Sequence, residues 1–206
     1  MNPYDIIQRF YPQDTPLRRL LILHSEKVRD KAFELLESAR RANGSEELNT
    51  VDEHLINDGA LLHDIGIGKT HAPGILCEGT EPYICHGILG AQMLREMVAE
   101  LQASKDSSVS EEADYLERLA RICERHTGAG LTVQDIVQQN LPIAPARDLL
   151  PETIEEKLVC LADKFYSKSG DPACEKSLER VRRSMMKFGA ASEARFEDLC
   201  RLFSVN

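Results

Sequence analysis

Residues 61–70 read LLHDIGIGKT, and this stretch carries two signals that predict different folds. Its second half, GIGKT, is similar to the end of a glycine-rich phosphate loop that follows a buried strand. Its first half, LLHD, is typical of the end of a buried helix that presents His63 and Asp64 side by side. The segment before residue 63 therefore decides between the two folds.

The phosphate-loop interpretation fails on spacing and on context. That motif needs a first glycine five residues before Gly68, and position 63 is a histidine. The preceding residues follow a helical pattern, which starts at a predicted capping box of Thr50 and Glu53. The chain also lacks the alternation of strands and helices that such a fold requires. We therefore interpret GIGKT as part of a glycine-rich loop.

Apolar residues recur at helical spacing along almost the whole chain, and no alternating strand is evident. Thr15 and Pro16 predict the start of a helix that stops at Gly44. Residues 66–83 contain four glycines and two prolines and are predicted to be a long loop over a site. A helix is predicted to begin at His86, followed by a polar linker at 105–112, a helix from Glu111 to Arg125 and a short helical turn after 128–132. Thr153 and Glu156 predict a capping box at the start of a helix that ends at Gly170. A helix from Asp171 to Gly189 and a last helix capped by Ser192 complete the predicted elements.

These boundaries predict an all-α bundle of about seven or eight helices. We expect residues 1–170 to form the main domain and residues 171–206 to be a helical extension packed on it. The basic residues within KSLERVRRSMMKFG have Met185, Met186 and Phe188 beside them, which indicates an amphipathic helix packed on the bundle rather than a nucleic-acid surface.

The composition excludes several classes of function. The 206 residues are 42% hydrophobic and 29% charged, with a formal net charge of −9, which suits a globular protein. A net negative charge disfavours binding to nucleic acid or to an anionic membrane. No apolar run approaches the roughly 20 residues that span a bilayer, and the N-terminus shows no signal peptide. The six cysteines form no CxxC pair and are predicted to be free thiols, so we expect a cytoplasmic protein.

Histidines and one aspartate are the informative side chains. Four of the six histidines lie on or at the ends of apolar helical faces, where a hydrogen-bonded core histidine is the simpler explanation for each alone. Asp163, however, lies within LVCLADKF, where an unpaired buried carboxylate would be costly. A metal ion would account for the buried carboxylate of Asp163 and also for the neighbouring pair of His63 and Asp64 at a helix end. Imidazole and carboxylate ligands without thiolates are typical of catalytic Zn²⁺, Mn²⁺ or Fe sites.

In this respect the sequence resembles the HD superfamily of metal-dependent phosphohydrolases, over roughly residues 17–168. The resemblance rests on a histidine in an early helix, a histidine–aspartate doublet and a distant aspartate, which here read H24SEKV, LLH63D64IG and LAD163K. It extends to members with a larger site through His86 in CHGILGAQMLR and His126 in ERHTGAGLT. The sequence resembles small bacterial and archaeal proteins of the HDIG type.

The resemblance implies a two-metal site and a hydrolytic reaction. His24, His63, Asp64 and Asp163 would hold one divalent transition metal, and His86 and His126 a second, with Asp64 bridging. Two such ions about 3.5–4 Å apart activate water and polarise phosphoryl oxygens. The expected substrate is a small nucleotide or related phosphoester, and the oligomeric state stays open.

The chain departs from the family at one position. Several relatives carry a lysine or arginine three residues after the doublet's aspartate, where this chain has Ile67. Lys69 follows two residues later and is predicted, with Asp64, to take part in catalysis. Lys27, Lys69, His71 and Lys164 are the candidates for contact with phosphate, although each lysine could equally be a solvated surface side chain. His54 and Asp58 are predicted to face solvent.

Other functions remain open at this stage. Hydrolases of symmetric dinucleoside polyphosphates share the same order of ligands, and nucleoside 5′-monophosphatases are another possibility. A cyclic-dinucleotide phosphodiesterase is disfavoured because no Gly-Tyr-Pro triplet follows His126. A non-catalytic sensor domain that binds metal or nucleotide would not need all six ligands, and a purely structural bundle would leave Asp163 unexplained.

Overall fold

The computed structural model of the protein describes residues 1–44, 46–103 and 109–205. Ten α-helices are found among these residues, so the predicted all-α fold is confirmed, with more helices than the seven or eight expected. The helices that were not predicted are the short segments at residues 3–10 and 46–49. The helices are α1 Pro3–Phe10, α2 Pro16–Asn43, α3 Glu46–Asn49, α4 Glu53–Leu62, α5 His86–Ala103, α6 Val109–Arg125, α7 Val133–Gln138, α8 Ile154–Asp163, α9 Leu178–Met185 and α10 Ala190–Leu202.

The segment between α4 and α5 is more ordered than the predicted loop. It forms a three-stranded sheet of β1 Thr70–Ala72, β2 Cys77–Glu78 and β3 Glu81–Pro82, in the order β2-β1-β3. β1 pairs antiparallel with β2 and parallel with β3. Strands of two or three residues are too short to produce a detectable alternation, which explains why the sequence did not predict them.

The predicted ends of α2 are confirmed, whereas the predicted start of α4 is wrong. Thr15 accepts a hydrogen bond from the backbone N–H of Arg18, and Gly44 follows α2 with a left-handed φ of 55°. For α4, the N-cap is Asp52, whose carboxylate accepts from the N–H of Leu55 at 3.0 Å. The hydroxyl of Thr50 instead donates to the carbonyl of Glu47 in the preceding turn. Asp52 is closer to the helix and supplies a better cap.

Two predicted helix starts in the C-terminal region are also wrong. Residues 171–176 are not helical, and the N–H of Lys176 donates to the carbonyl of Phe165, which holds this segment against the end of α8. The helix starts only after Ser177, whose hydroxyl accepts from the N–H of Arg180. Likewise, Ser192 does not cap α10, because that helix begins directly after Gly189 and Ser192 is buried within it.

Two other expectations need qualification. Thr153 caps α8 as predicted, but the carboxylate of Glu156 accepts from the N–H of Glu152, not from that of Thr153 as a reciprocal capping box would require. Residues 104–108, within or next to the predicted polar linker, lie outside the described residues, and the rest of that linker belongs to α6. α6 therefore starts slightly earlier than predicted.

The larger of two clusters of buried apolar residues unites the bundle and includes the C-terminal helices. Leu36 of α2, Leu62 of α4 and Leu116 of α6 belong to it, as do Phe196 and Phe203 at the C-terminal end. Phe196 and Phe203 therefore share this core with helices from the first 170 residues. Across the described ranges, no helix combines the length and the apolar character that crossing a bilayer demands.

Candidate metal centre

Five helices bring the six predicted ligands to one buried point. His24 lies within α2, the His63–Asp64 pair directly follows α4, and His86 is the first residue of α5. The remaining two lie at helix C-termini, His126 just after α6 and Asp163 as the last residue of α8. None of the six is more than 9% exposed. Five of the six side chains are therefore held at helix ends, and His24 is held within a helix.

Backbone hydrogen bonds fix the orientation of three of the four histidine rings. The Nδ1 atoms of His63, His86 and His126 each lie 2.7 Å from the carbonyl oxygen three residues earlier in the chain. A carbonyl can only accept, so each Nδ1 must carry the proton and donate it. In the neutral ring Nε2 then holds a lone pair directed into the cluster. This arrangement is the usual one for histidines that bind metal.

The first group of four side chains surrounds one potential ion position. His24 Nε2 lies 3.0 Å from Asp163 Oδ1 and 3.3 Å from Asp64 Oδ2. His63 Nε2 lies 3.2 Å from Asp64 Oδ2 and 3.5 Å from Asp163 Oδ1. The ligand atoms of these four residues all lie within 4.8 Å of one another. Two imidazoles and two carboxylates of this kind suit a divalent transition metal.

The second group shares Asp64 with the first. Asp64 Oδ1 lies 3.4 Å from His86 Nε2 and 3.5 Å from His126 Nε2, while Oδ2 faces His24 and His63. The two Nε2 atoms of His86 and His126 are only 2.9 Å apart. Because both Nδ1 atoms donate to backbone carbonyls, neutral rings would place two lone pairs against each other. A cation between them would turn this repulsion into coordination.

The hydrogen bonding of the cluster also fits a metal. Nε2 of His63 and both carboxylate oxygens of Asp64 are buried and, among the described residues, have no hydrogen bond of normal geometry. Buried polar atoms are nearly always paired, so Nε2 of His63 and Oδ1 of Asp64 fit coordination to a cation. Asp64 Oδ2 already lies 2.5 Å from the ammonium of Lys168. The donor set and the unpaired atoms therefore fit one or two divalent ions.

Burial and neighbouring charges shift the pKa values of Asp64, His63 and His86. Burial disfavours ionisation of Asp64, but the ammonium of Lys168 and the ring of His63 outweigh it and hold the pKa of Asp64 well below its usual range. Burial lowers the pKa of His86, to about 3. At His63 burial acts in the same direction, but Asp64 and Asp163 outweigh it and raise the pKa to about 9. The carboxylates thus stay ionised and attract any available cation.

Sequence reasoning missed Lys168, the cation that lies nearest to Asp64. Its Nζ atom is 2.5 Å from Asp64 Oδ2 and 3.9 Å from Asp163 Oδ1, and its side chain is only 9% exposed. Lys168 lies five residues beyond the end of α8, where helical periodicity no longer predicts direction. The available signal was its closeness to Asp163 in the sequence.

Tyr83 was also missed. Its ring stacks on that of His86 at a centroid distance of 4.7 Å and an angle of 17°. Burial raises the pKa of the Tyr83 hydroxyl to about 12, against the opposing effect of Lys168. The Tyr83 hydroxyl therefore stays neutral, and the Tyr83 ring packs against that of His86.

The predicted phosphate-binding residues are placed differently from one another. Lys164 lies beside the cluster and donates to Asp163 Oδ2 at 2.7 Å and to the carbonyl of His126 at 3.0 Å. Lys69 and His71 are exposed, and Lys27 is partly buried on α2. Within the described chain, no ion pair or hydrogen bond links the side chain of any of these three to the cluster. His54 is exposed, as predicted, whereas Asp58 is partly buried and accepts from the hydroxyl of Tyr115.

Comparison with known proteins agrees with this arrangement. An uncharacterized protein of Methanocaldococcus jannaschii is 35% identical over 145 residues, which are 70% of this chain and 65% of that protein. Two proteins named tRNA (cytidine(56)-2′-O)-methyltransferase, from Picrophilus torridus and Thermoplasma volcanium, are 34% and 30% identical over 72% and 71% of this chain. The matched region makes up only 35% and 32% of the length of these two proteins. This chain therefore spans less than two thirds of each of the three relatives.

No solved structure matches significantly. The HD domain profile, however, matches residues 21–167, which include all six clustered side chains. With a match over most of its length and this arrangement of helices, the chain belongs to the HD domain family.

Proposed function

We propose that this protein is a metal-dependent phosphohydrolase that acts on a small nucleotide or related phosphoester. The observation that carries the proposal is Asp64, which directs one oxygen to His24 and His63 and the other to His86 and His126. A single carboxylate between two sets of imidazole lone pairs has the form of a bridging ligand in a two-metal site. Family membership supports the same reaction class.

In the proposed site the six side chains hold two divalent ions. His24, His63 and Asp163 would bind the first, His86 and His126 the second, and Asp64 both. Two ions held there would supply an activated water nucleophile and neutralise charge on the phosphoryl oxygens. Iron, manganese and zinc all suit this donor set.

Lys168 is better placed than Lys69 to contact the phosphoryl group. It is buried against Asp64, whereas Lys69 is exposed on the turn before β1. An ammonium beside the bridging carboxylate can donate to a phosphoryl oxygen and stabilise the negative charge of the transition state. Lys164 is already engaged with Asp163 and His126, so its main role is to orient Asp163.

Two other substrates and one non-catalytic function are alternatives. A symmetric dinucleoside polyphosphate would need the same ligands. Two of the relatives are named as tRNA methyltransferases, so a short RNA belongs in the substrate panel, although the net charge of −9 disfavours extended RNA binding. A sensor domain would bind metal without turnover. For the cellular compartment we propose the cytoplasm, which six unpaired cysteines support.

Metal analysis followed by turnover tests the proposal. The purified protein should carry up to two equivalents of transition metal, and with Mn²⁺ it should release phosphate or a phosphomonoester from at least one compound of the panel. That panel contains p-nitrophenyl phosphate, bis-p-nitrophenyl phosphate, nucleoside monophosphates, diadenosine tetraphosphate and a short RNA. Asp64→Asn should lower the rate by more than the roughly 10- to 100-fold that loss of an outer-shell partner costs.

His54→Ala is the matched control, because His54 is an exposed histidine of α4 outside the cluster. Bound metal without turnover of any compound would favour the sensor function. Absence of bound metal in a folded protein would rule out both the hydrolase and the metal sensor.

A further inference from the structure

A cavity of about 560 Å³ lies beside the metal centre. His86, His126, Asp163 and Lys168 line its inner end, so the cavity and the cluster share side chains. Its volume falls within the range of roughly 300–1,000 Å³ that is usual for small-molecule sites. A phosphoryl group alone would occupy only a small part of this space.

The C-terminal segment forms one wall of this cavity. Val181, Ser184 and Met185 of α9, Phe188 of the following turn, and Ser192 and Arg195 of α10 all line it. These residues lie beyond position 167, where the match to the HD domain profile ends. The wall is therefore built from residues outside the part of the chain that the HD domain profile matches.

The lining has both apolar and polar parts. Leu131, Leu141 and Ile84 line the cavity together with Val181 and Met185. The side chains of Gln139, Ser184 and Ser192 also line it, and they form no hydrogen bonds with any of the residues that the structure describes. Ser192 is only 4% exposed and lines the cavity, so a ligand there can pair with its hydroxyl.

Phe188 distinguishes this wall from an ordinary core surface. Its ring is 50% exposed and yet lines the cavity. A large aromatic side chain at the edge of a cavity can stack on a flat ligand, and such stacking would bury the apolar surface that Phe188 exposes to solvent.

Arg195 fixes the wall relative to the metal centre. Its guanidinium donates to Asp135 Oδ2 at 2.6 Å and to the carbonyl of Gly130 at 3.2 Å. Gly130 belongs to the short turn that follows His126. The distance between the extension and the metal ligands is thus set by direct contacts.

We propose that this cavity binds the organic group of the phosphorylated substrate and that the C-terminal segment selects that group. The inference rests on the proposed hydrolase function. Apolar walls combined with a few unpaired polar atoms suit a flat ring that has hydrogen-bonding groups at its edge, and a nucleobase has this chemistry. A substrate that is polar on all sides, such as glycerol phosphate, would leave the apolar lining uncovered.

Substitutions that fill or open the cavity test the proposal. Ser184 is exposed at the edge of the cavity, so Ser184→Trp should fill the space without disturbing the core. It should raise KM for the preferred ribonucleoside 5′-monophosphate by about tenfold or more, while kcat/KM for glycerol 2-phosphate changes by less than about twofold. Arg183→Trp is the matched control on the exposed side of α9 and should change neither.

Phe188→Ala provides the second variant. It should raise the same KM several-fold, whereas Met186→Ala, which removes an equally exposed apolar side chain outside the lining, should not. Circular dichroism checks that all four variants are folded.

Binding measured by calorimetry separates this inference from the hydrolase proposal. In the metal-loaded wild type, a ribonucleoside 5′-monophosphate should bind, and Ser184→Trp should weaken binding about tenfold or more even if no compound is hydrolysed. The inference is overturned if no nucleoside monophosphate binds, if Ser184→Trp and Arg183→Trp behave alike, or if glycerol 2-phosphate turnover falls in parallel. If binding follows the expected pattern but no phosphoester is hydrolysed, the hydrolase proposal alone fails.

Discussion

The Nε2 atoms of His86 and His126 face each other at 2.9 Å, although these residues are 40 positions apart in the chain. Both rings donate Nδ1–H to backbone carbonyls, so neither Nε2 can donate to the other while the rings are neutral. The arrangement is favourable only with a positive charge between the rings or next to them. A second ion bound by these two rings, as in the proposed two-metal site, would remove this repulsion.

Removal of one histidine from each group should lower the metal content separately. We expect His126→Ala to reduce bound metal from two equivalents to one, because it removes one of only three ligands of the second group. His24→Ala should likewise reduce occupancy of the first position. Inductively coupled plasma mass spectrometry after dialysis measures both, with His54→Ala as the control. If both variants keep two equivalents, the assignment of ligands is wrong.

Lys168 should matter most when no metal is bound. Lys168→Met leaves the buried Asp64 carboxylate without its nearest cation, which should lower the free energy of unfolding by about 3–5 kcal/mol in the presence of a chelator. Added Mn²⁺ should recover most of this loss, because the ion binds only the folded site and supplies the missing charge. Urea titrations under both conditions measure the effect.

Lys69→Met is the control for Lys168→Met, since Lys69 is exposed and should have little effect on stability. An equal loss with and without Mn²⁺ would show that Lys168 acts only through packing. A large effect of Lys69→Met on KM with no effect of Lys168→Met would restore Lys69 as the phosphate-binding residue.

Gly66 should be intolerant of any side chain. A Cβ atom at this position would lie 2.2 Å from the carbonyl oxygen of His86 and 2.3 Å from the backbone N of Gly90. Gly66→Ala must therefore push α5 away from the turn after Asp64, which should cost about 1–3 kcal/mol and displace His86. Gly74→Ala is the control, because nothing lies within 4 Å of its added Cβ. Thermal unfolding and metal content measure the two consequences, and equal effects of both variants would contradict the expectation.

Asp135 should contribute stability that disappears in acid. Burial disfavours its ionisation, but hydrogen bonds from Thr132 and the charge of Arg195 outweigh burial and lower the pKa of Asp135. Because the folded pKa lies below the unfolded value of about 3.9, the contribution is complete above that value and is lost as pH falls through the folded pKa. Asp135→Asn should therefore cost about 1 kcal/mol or more at pH 7 and less at pH 3.

Urea unfolding of the wild type and the Asp135 variant at the two pH values measures this difference. Asp114→Asn, at an exposed position of α6, serves as the control. An unchanged difference between wild type and Asp135→Asn at pH 7 and pH 3 would mean that the ionised carboxylate does not stabilise the contact with Arg195.

Local sequence was a good guide where local interactions decide the structure. The span of α2 was predictable because Thr15 caps its start and Gly44 can adopt the left-handed conformation at its end. The position of α4 was less predictable, since both Thr50 and Asp52 offer suitable capping oxygens and only the geometry of the preceding turn chooses between them. The start of α9 depended on a hydrogen bond from Lys176 to the distant Phe165.

By itself the sequence determined the all-α class, the burial of a histidine–aspartate pair at a helix end and the unusual carboxylate at Asp163, because helical periodicity and the cost of burying charge act locally. Only the tertiary structure decided that Lys168 lies against Asp64 and that the C-terminal helices form a wall beside the cluster. Both features depend on segments beyond a helix end, where the direction of the chain is set by long-range packing rather than by any repeat in the sequence.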